Sequence, residues 1–263
     1  RRDQLFSGFI QDKITLQPDA WFLTLGSKFE HNDYSGFEIQ PNARLQWHID
    51  DNQMTWASVA RAVRTPSQLE HDLTIDFLLG IIGLLPNTNF ESEELLGDDL
   101  GYRRQLTPAL SLAVAAFYTH YDKISATSVV PAGPFIIDTS ITNGTKAESY
   151  GGETVLSWQA SDTLDFFAGY SLLDMQLHGP AGAIDAEVGE GQSPHHQLNL
   201  RSRWDANDRV SVDVMLYYVD ELPDFAIKDY WRADARLGWK IRDGLHFDLV
   251  GQNLLAATPR EFT

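Results

Sequence analysis

Trp231-Arg232-Ala233-Asp234-Ala235-Arg236-Leu237-Gly238-Trp239-Lys240-Ile241-Arg242 divides its side chains cleanly by parity. The odd positions are apolar, Trp231, Ala233, Ala235, Leu237, Trp239 and Ile241, and the even ones are polar, charged or glycine. A helix cannot sort such a pattern onto two faces, whereas a pleated strand does so at every step. Arg209–Tyr218 repeats the split, with Val210, Val212, Val214, Leu216 and Tyr218 on one side. It recurs over 42–49, 110–120 and 196–204. The chain therefore reads as all-β.

Composition narrows the class. The 263 residues include 37 acidic and 20 basic side chains, a net charge of −17 that argues against nucleic acid as the partner. There is no cysteine, so disulfides, thiolate metal sites and thiol nucleophiles are excluded together. A hydrophobic share of 43% with 7 Trp, 9 Tyr and 14 Phe argues against disorder. The longest nearly apolar run, Phe77–Leu85, is broken by Gly80 and Gly83, so no segment reads as a transmembrane helix or a signal peptide. A membrane-spanning barrel strand needs only about 10 residues and remains open.

The joins between strands carry the next signal. Short joins fall at Pro18-Asp19, Asp50-Asn52, Thr107-Pro108, Ser161-Asp162, Ala206-Asp208 and Asp243-Gly244. Between them lie joins read as longer, at 31–36, 66–96, 123–145, 177–193 and 220–229. Strict alternation of short and long joins is the signature of an antiparallel up-and-down barrel in an outer membrane. Trp21, Trp47, Trp56, Trp158, Trp204 and Trp239 all lie within a few residues of a short join. This predicts a girdle of aromatic side chains at one membrane interface, since a sandwich core gives no reason for such clustering. About twelve strands are predicted, the first near 4–16 and the last near 245–252.

Six segments then carry a family resemblance: WASVARAVRTPSQLE (56–70), GYRRQ (101–105), AAFYTHYDKI (115–124), KAESYGGE (146–153), SPHHQLNLRS (193–202) and GQNLLAATPREF (251–262). In this order and spacing they resemble the C-terminal half of the barrel of TonB-dependent outer-membrane receptors. The resemblance implies a 22-stranded transmembrane β-barrel in the bacterial outer membrane, surrounded by lipid and filled by an N-terminal plug. It further implies active uptake of a scarce small molecule, such as a metal chelate and above all a ferric siderophore, driven by the inner-membrane TonB complex; the alternatives are a passive porin-like channel, favoured less by the motifs, and a soluble β-rich binding protein, disfavoured by the girdle and the alternating joins. Against the complete pattern, residues 1–263 are expected to be a partial barrel domain. The plug, the segment that meets the energy transducer and the final strand are expected to be absent. The twelve strands would then be the tenth to the twenty-first.

No catalytic constellation is legible: there is no GxSxG elbow, no P-loop and no nominable Ser-His-Asp set. No cofactor is implied. His195-His196 is not expected to hold a metal, because neighbours on a strand point to opposite faces. The acidic stretch Glu91, Glu93, Glu94, Asp98 and Asp99 lacks calcium-loop spacing and reads as a solvated loop. Arg201, Arg203, Arg209, Arg232, Arg236 and Arg242 fall on the polar faces of late strands. Lipid would charge about 2–4 kcal/mol for each at midplane, so alternation is expected to turn them into the lumen, toward ligand or plug. Asp213 and Asp234 are the expected ion-pair partners. Leu73–Leu85 is expected to form a hairpin packed on a neighbouring loop, the alternative being an exposed apolar wall for ligand capture.

Overall fold

A computed structural model describes residues 4–77, 82–133, 136–180, 183 and 189–255. Twelve strands form one antiparallel meander: β1 (Leu5–Gln17), β2 (Trp21–Asn32), β3 (Gly36–Asp50), β4 (Gln53–Arg64), β7 (Glu93–Thr107), β8 (Leu110–Gly133), β9 (Ile136–Ser161), β10 (Leu164–His178), β11 (His196–Asn207), β12 (Val210–Val219), β13 (Tyr230–Arg242) and β14 (Leu245–Gly251). A small hairpin, β5 (Ile75–Phe77) and β6 (Ile82–Leu85), stands off this path. The helix α1 (Gln68–Asp72) precedes it. Every strand of the meander pairs with its sequence neighbour on the path, and β1 and β14 are the two ends of an open sheet.

The short turns are built by side chains that replace the missing ladder. Asp50 accepts from Asn52 N–H at 2.8 Å, and Asn207 accepts from Arg209 and Val210 N–H at 2.9 and 3.1 Å. Gly244, at φ 77°, supplies the left-handed residue of the β13–β14 turn. The six hairpins at the joins read as short from the sequence each carry a register shift beside the turn, from Thr15/Gln17 to Lys240/Arg242. Such bulges add twist and help a sheet to curl.

Two joins differ from the sequence reading. The join at 31–36 is a tight turn, in which the Asn32 side chain accepts from Tyr34 and Ser35 N–H and Gly36 sits at φ 75°. The join at 123–145 is mostly strand: β8 and β9 run for 24 and 26 residues and stay paired past an irregularity around Lys123. Strands that rise clear of a bilayer are wet on both faces, so their sequence no longer alternates.

The sheet has no core in the usual sense. Phe90, Ala126 and Ala147 are the buried hydrophobic residues among those described. The accessible area is 16980 Å², against roughly 11,600 Å² for a compact soluble monomer of this size. The excess is an apolar face that water would not tolerate, with Leu100, Leu200, Val214, Leu237 and Leu249 between 38% and 59% exposed. A single sheet, polar on one side and apolar on the other, fits a barrel wall in lipid and not a sandwich. The expected hairpin is present where described: β6 lies parallel on β9, pairing Ile82–Leu85 with Ile137–Ser140, and Asn87 donates to the Ile141 carbonyl. Leu78, Leu79, Gly80 and Ile81 lie outside the described residues.

Candidate functional site

On the polar face, late strands hold their arginines against aspartates. Asp213, 7% exposed, accepts from Arg201 at 3.0 Å on one neighbouring strand and from Arg236 at 3.1 Å on the other. Arg236 also reaches Asp248 at 2.5 Å, and Arg203 reaches Asp165 at 2.6 Å. Arg232 grips Asp234 through two nitrogens, at 3.1 and 2.7 Å, and Asn253 N–H donates to the same carboxylate. These four arginines are thus tied across or along the sheet, with both expected aspartates as partners. Arg209 is different. It lies in the β11–β12 turn, not on a strand face, and its carbonyl accepts from Lys240 N–H. Arg242 is exposed beside the β13–β14 turn. Proximity to the turn moves both off the polar wall.

Earlier strands present a second group that the sequence reading missed. Trp56 pairs with Gln46 on one side and Gly101 on the other, which sets it on the polar face, opposite to Trp47. Its indole N–H donates to Asp99 at 2.7 Å, Ser58 donates to the same carboxylate, and the Arg44 guanidinium covers the ring at 5.4 Å. A Cβ on Gly101 would come within 2.0 Å of the ring, so the indole lies flat on the wall only because position 101 is glycine. Trp56 therefore leaves the expected girdle. The other five tryptophans share the apolar face. Trp21 stacks on Trp47 at 5.0 Å and Trp158 on Phe166 at 5.5 Å, while Trp204 opposes Val212 and Trp239 opposes Val210.

A second aromatic row, not singled out from sequence, lies on the same apolar face toward the long joins. It includes the Phe29–Phe37 pair, Tyr118 opposite Tyr150, Tyr170 beside His196, and Tyr218 against Trp231 at 5.1 Å. The signal was present in the stretch 231–242 itself, which begins and nearly ends on tryptophan. Trp231 and Trp239 are eight residues apart on β13, roughly 26 Å of strand, close to the ~25 Å apolar band of an outer-membrane barrel.

Beyond that row the long-join end is a network of ion pairs. Arg64 bridges Glu70 and Glu93 at 2.6 and 2.5 Å. Ser67 and Glu70 form a capping box that starts α1. Lys123 lies between Glu91 and Glu94 at 2.7 and 2.9 Å, and Arg61 adds a 2.9 Å contact to Glu94. Burial works to raise the Glu93 carboxyl, yet the Arg64 guanidinium and Ser125 N–H hold it below its ordinary range. The hydrogen bond from Lys123 does the same to Glu94, and the paired carboxylates push Arg64 and Lys123 upward. His195 and His196 diverge: the first faces Asp174 at 3.8 Å, the second bonds Tyr170 Oη at 2.8 Å.

Comparison with known proteins agrees with this architecture. The sequence profile described as TonB dependent receptor-like, beta-barrel, matches residues 1–254. The chain is 23% identical over 221 residues to the iron-regulated outer membrane virulence protein of Vibrio cholerae, covering 81% of this chain and 33% of that protein. It is similar in structure to a mutant of the ferric enterobactin receptor of Pseudomonas aeruginosa, with TM-score 0.76, 19% identity, and 96% and 39% of the two chains covered. A siderophore receptor from the same organism gives TM-score 0.74 at 18% identity, with 96% and 45% covered. The chain spans between a third and a half of the length of these relatives. With a single antiparallel sheet, polar on one face and girdled by aromatics on the other, the chain belongs to the TonB-dependent receptor β-barrel family of the bacterial outer membrane.

Proposed function

We propose that residues 1–263 form part of the barrel wall of an outer-membrane receptor that takes up a ferric siderophore by energy coupling. The observation that carries this reading is the family match over 1–254 together with siderophore-receptor neighbours of the same fold. The plug, the contact with the TonB complex and the rest of the barrel belong to other parts of the protein. The aromatic rows mark the two lipid interfaces, with Trp21, Trp47, Trp158, Trp204 and Trp239 at the short-turn, periplasmic end. The polar face is the lumen. There Arg201, Arg203, Arg232 and Arg236 serve first to tie strands, because their guanidinium forks are already occupied by carboxylates. Arg44, stacked on Trp56, shows no carboxylate partner among the described residues and is the better lumen candidate for plug or ligand.

The test is uptake of labelled ferric siderophores by cells with and without the full-length gene, each with the TonB complex intact and disabled. Uptake that needs both supports the receptor. Uptake indifferent to the energy source points instead to a passive pore, and loss of neither arm's signal on deleting the gene removes the reading.

A further inference from the structure

The β8–β9 hairpin is held on each edge by chain that starts on its other side. The β4–β7 join rises beside β8, because β7 is the strand that pairs with β8. Yet β6, which belongs to this join, lies on the far edge of β9. It takes residues 137–140 on one edge, while residues 128–131 of β8 take the same four on the other. The β10–β11 join starts beside β9 and does the reverse. Pro180 lies against β9 at Gly144, where a Cβ would come within 2.5 Å of its ring. Ala183 then pairs with Ser128, on the edge of β8 that β9 leaves free. The two joins therefore cross the hairpin in opposite directions.

The crossing is fastened by side chains. Asn143 of β9 accepts from Glu91 N–H at 2.7 Å and donates to the Glu91 and Lys123 carbonyls at 2.9 and 2.8 Å. Phe90, Ala126 and Ala147, the buried hydrophobic residues among those described, all lie in the hairpin or beside Glu91. A third join is tied in through Asp224. Its carboxylate accepts from Gly189 N–H at 3.1 Å, and a Cβ on Gly191 would come within 2.5 Å of it. The single helical turns Glu190–Gln192 and Pro223–Phe225 are thus packed on each other. Glu190 in turn accepts from Leu177 N–H on β10, at the residue that pairs with Ala147 of β9. Contacts run in sequence from β6 through β9 and β10 to the β12–β13 join. Segments linked in this way open as cooperative units, not singly.

We propose that β6 and the turns Glu190–Gln192 and Pro223–Phe225 form one cooperative unit with the β8–β9 hairpin as its spine, so that loosening one loosens the others. The coupling rests on the fold and goes beyond the uptake reading. On that reading these segments stand at the outer mouth, and a ligand held by one biases the rest. The experiment is amide hydrogen exchange, read by mass spectrometry, on the full-length protein in detergent with no ligand added. Asp224→Ala removes the link at one end and alters no contact of β6 or β9. It is expected to speed exchange about tenfold at residues 190–192, the scale of one lost hydrogen bond to a charged group, and severalfold at 82–85. Asn143→Ala releases Glu91 at the other end and is expected to speed exchange at 82–85 and, severalfold, at 190–192. Strands β2 and β3 serve as controls and keep the parental exchange. Exchange that quickens only beside each substituted residue overturns the proposal. The two variants report the same coupling from opposite ends, so either decides it if the other fails to assemble. Uptake has no part in this readout, so the receptor reading stands or falls separately.

Discussion

The indole N–H of Trp56 donates to the Asp99 carboxylate at 2.7 Å across the β4–β7 pair. This one contact settles the face of Trp56, and it makes the wall between β3 and β7 a designed surface of ring, guanidinium and carboxylate. Gly101 is its floor. Gly101→Val is expected to lift the ring off the wall and to cost about 1–3 kcal/mol, read as a lower temperature for the loss of heat-modifiable mobility of the full-length receptor. Trp56→Phe keeps the ring but not the donor, and is expected to cost about 1 kcal/mol. If Gly101→Val were as stable as the parent, the flat seating of the indole would be wrong.

The two kinds of tryptophan are expected to separate in fluorescence. In vesicles of brominated lipid, receptors whose sole tryptophan in this region is Trp47, Trp204 or Trp239 should be strongly quenched. A receptor retaining Trp56 alone should be nearly unaffected, since that ring is on the opposite face. Equal quenching of all four would contradict the assignment.

Asp213 supports two strands at once, through Arg201 and Arg236. Asp213→Asn is therefore expected to destabilise the barrel more than Arg201→Gln. Both arginines are nearly half exposed, so the water of the lumen screens the loss, and about 1–2 kcal/mol is the expected scale. Urea unfolding in detergent of the two single variants and the double variant gives the coupling directly.

Acid is expected to free the segment 65–92. Glu93 and Glu94 are held below the ordinary carboxylate range by Arg64 and Lys123, so their stabilisation is complete above the unfolded carboxyl pKa. It is lost as the pH falls through the lower folded values. Protease cleavage within 65–92 should be unchanged between pH 7 and about 5, and should rise sharply only below about 4. Arg64→Gln is expected to raise cleavage already at pH 7 and to flatten that dependence. A midpoint near neutrality would rule out these carboxylates as the fasteners.

How much of this was legible in the residues follows from where water lies. Between the aromatic rows each strand has one face in lipid, so alternation is strict and twelve strands can be read from the chain. Above the upper row that constraint vanishes. Ser125–Ser128 and Thr139–Thr142 look like loop because neither face of β8 or β9 is there in hydrocarbon. Trp56 escapes a reading by parity because Gln53–Arg64 carries apolar residues on both parities, Met54 and Trp56 against Ala57 and Val59. A shift of one residue reverses every side chain. The polar-face arginines were legible as a class, but their partners sit on neighbouring strands and depend on register, which no single strand encodes.

The length of β8 and β9 has a consequence for how the upper wall is held. From Tyr118 to Gly133, β8 continues for fifteen residues beyond the upper aromatic row, roughly 50 Å of strand. A hairpin of that length is flanked by β6, which runs parallel along β9. The two strands of this hairpin are bound to each other by ladder pairs along most of that length, so this part of the wall is held by backbone hydrogen bonds where lipid no longer supports it.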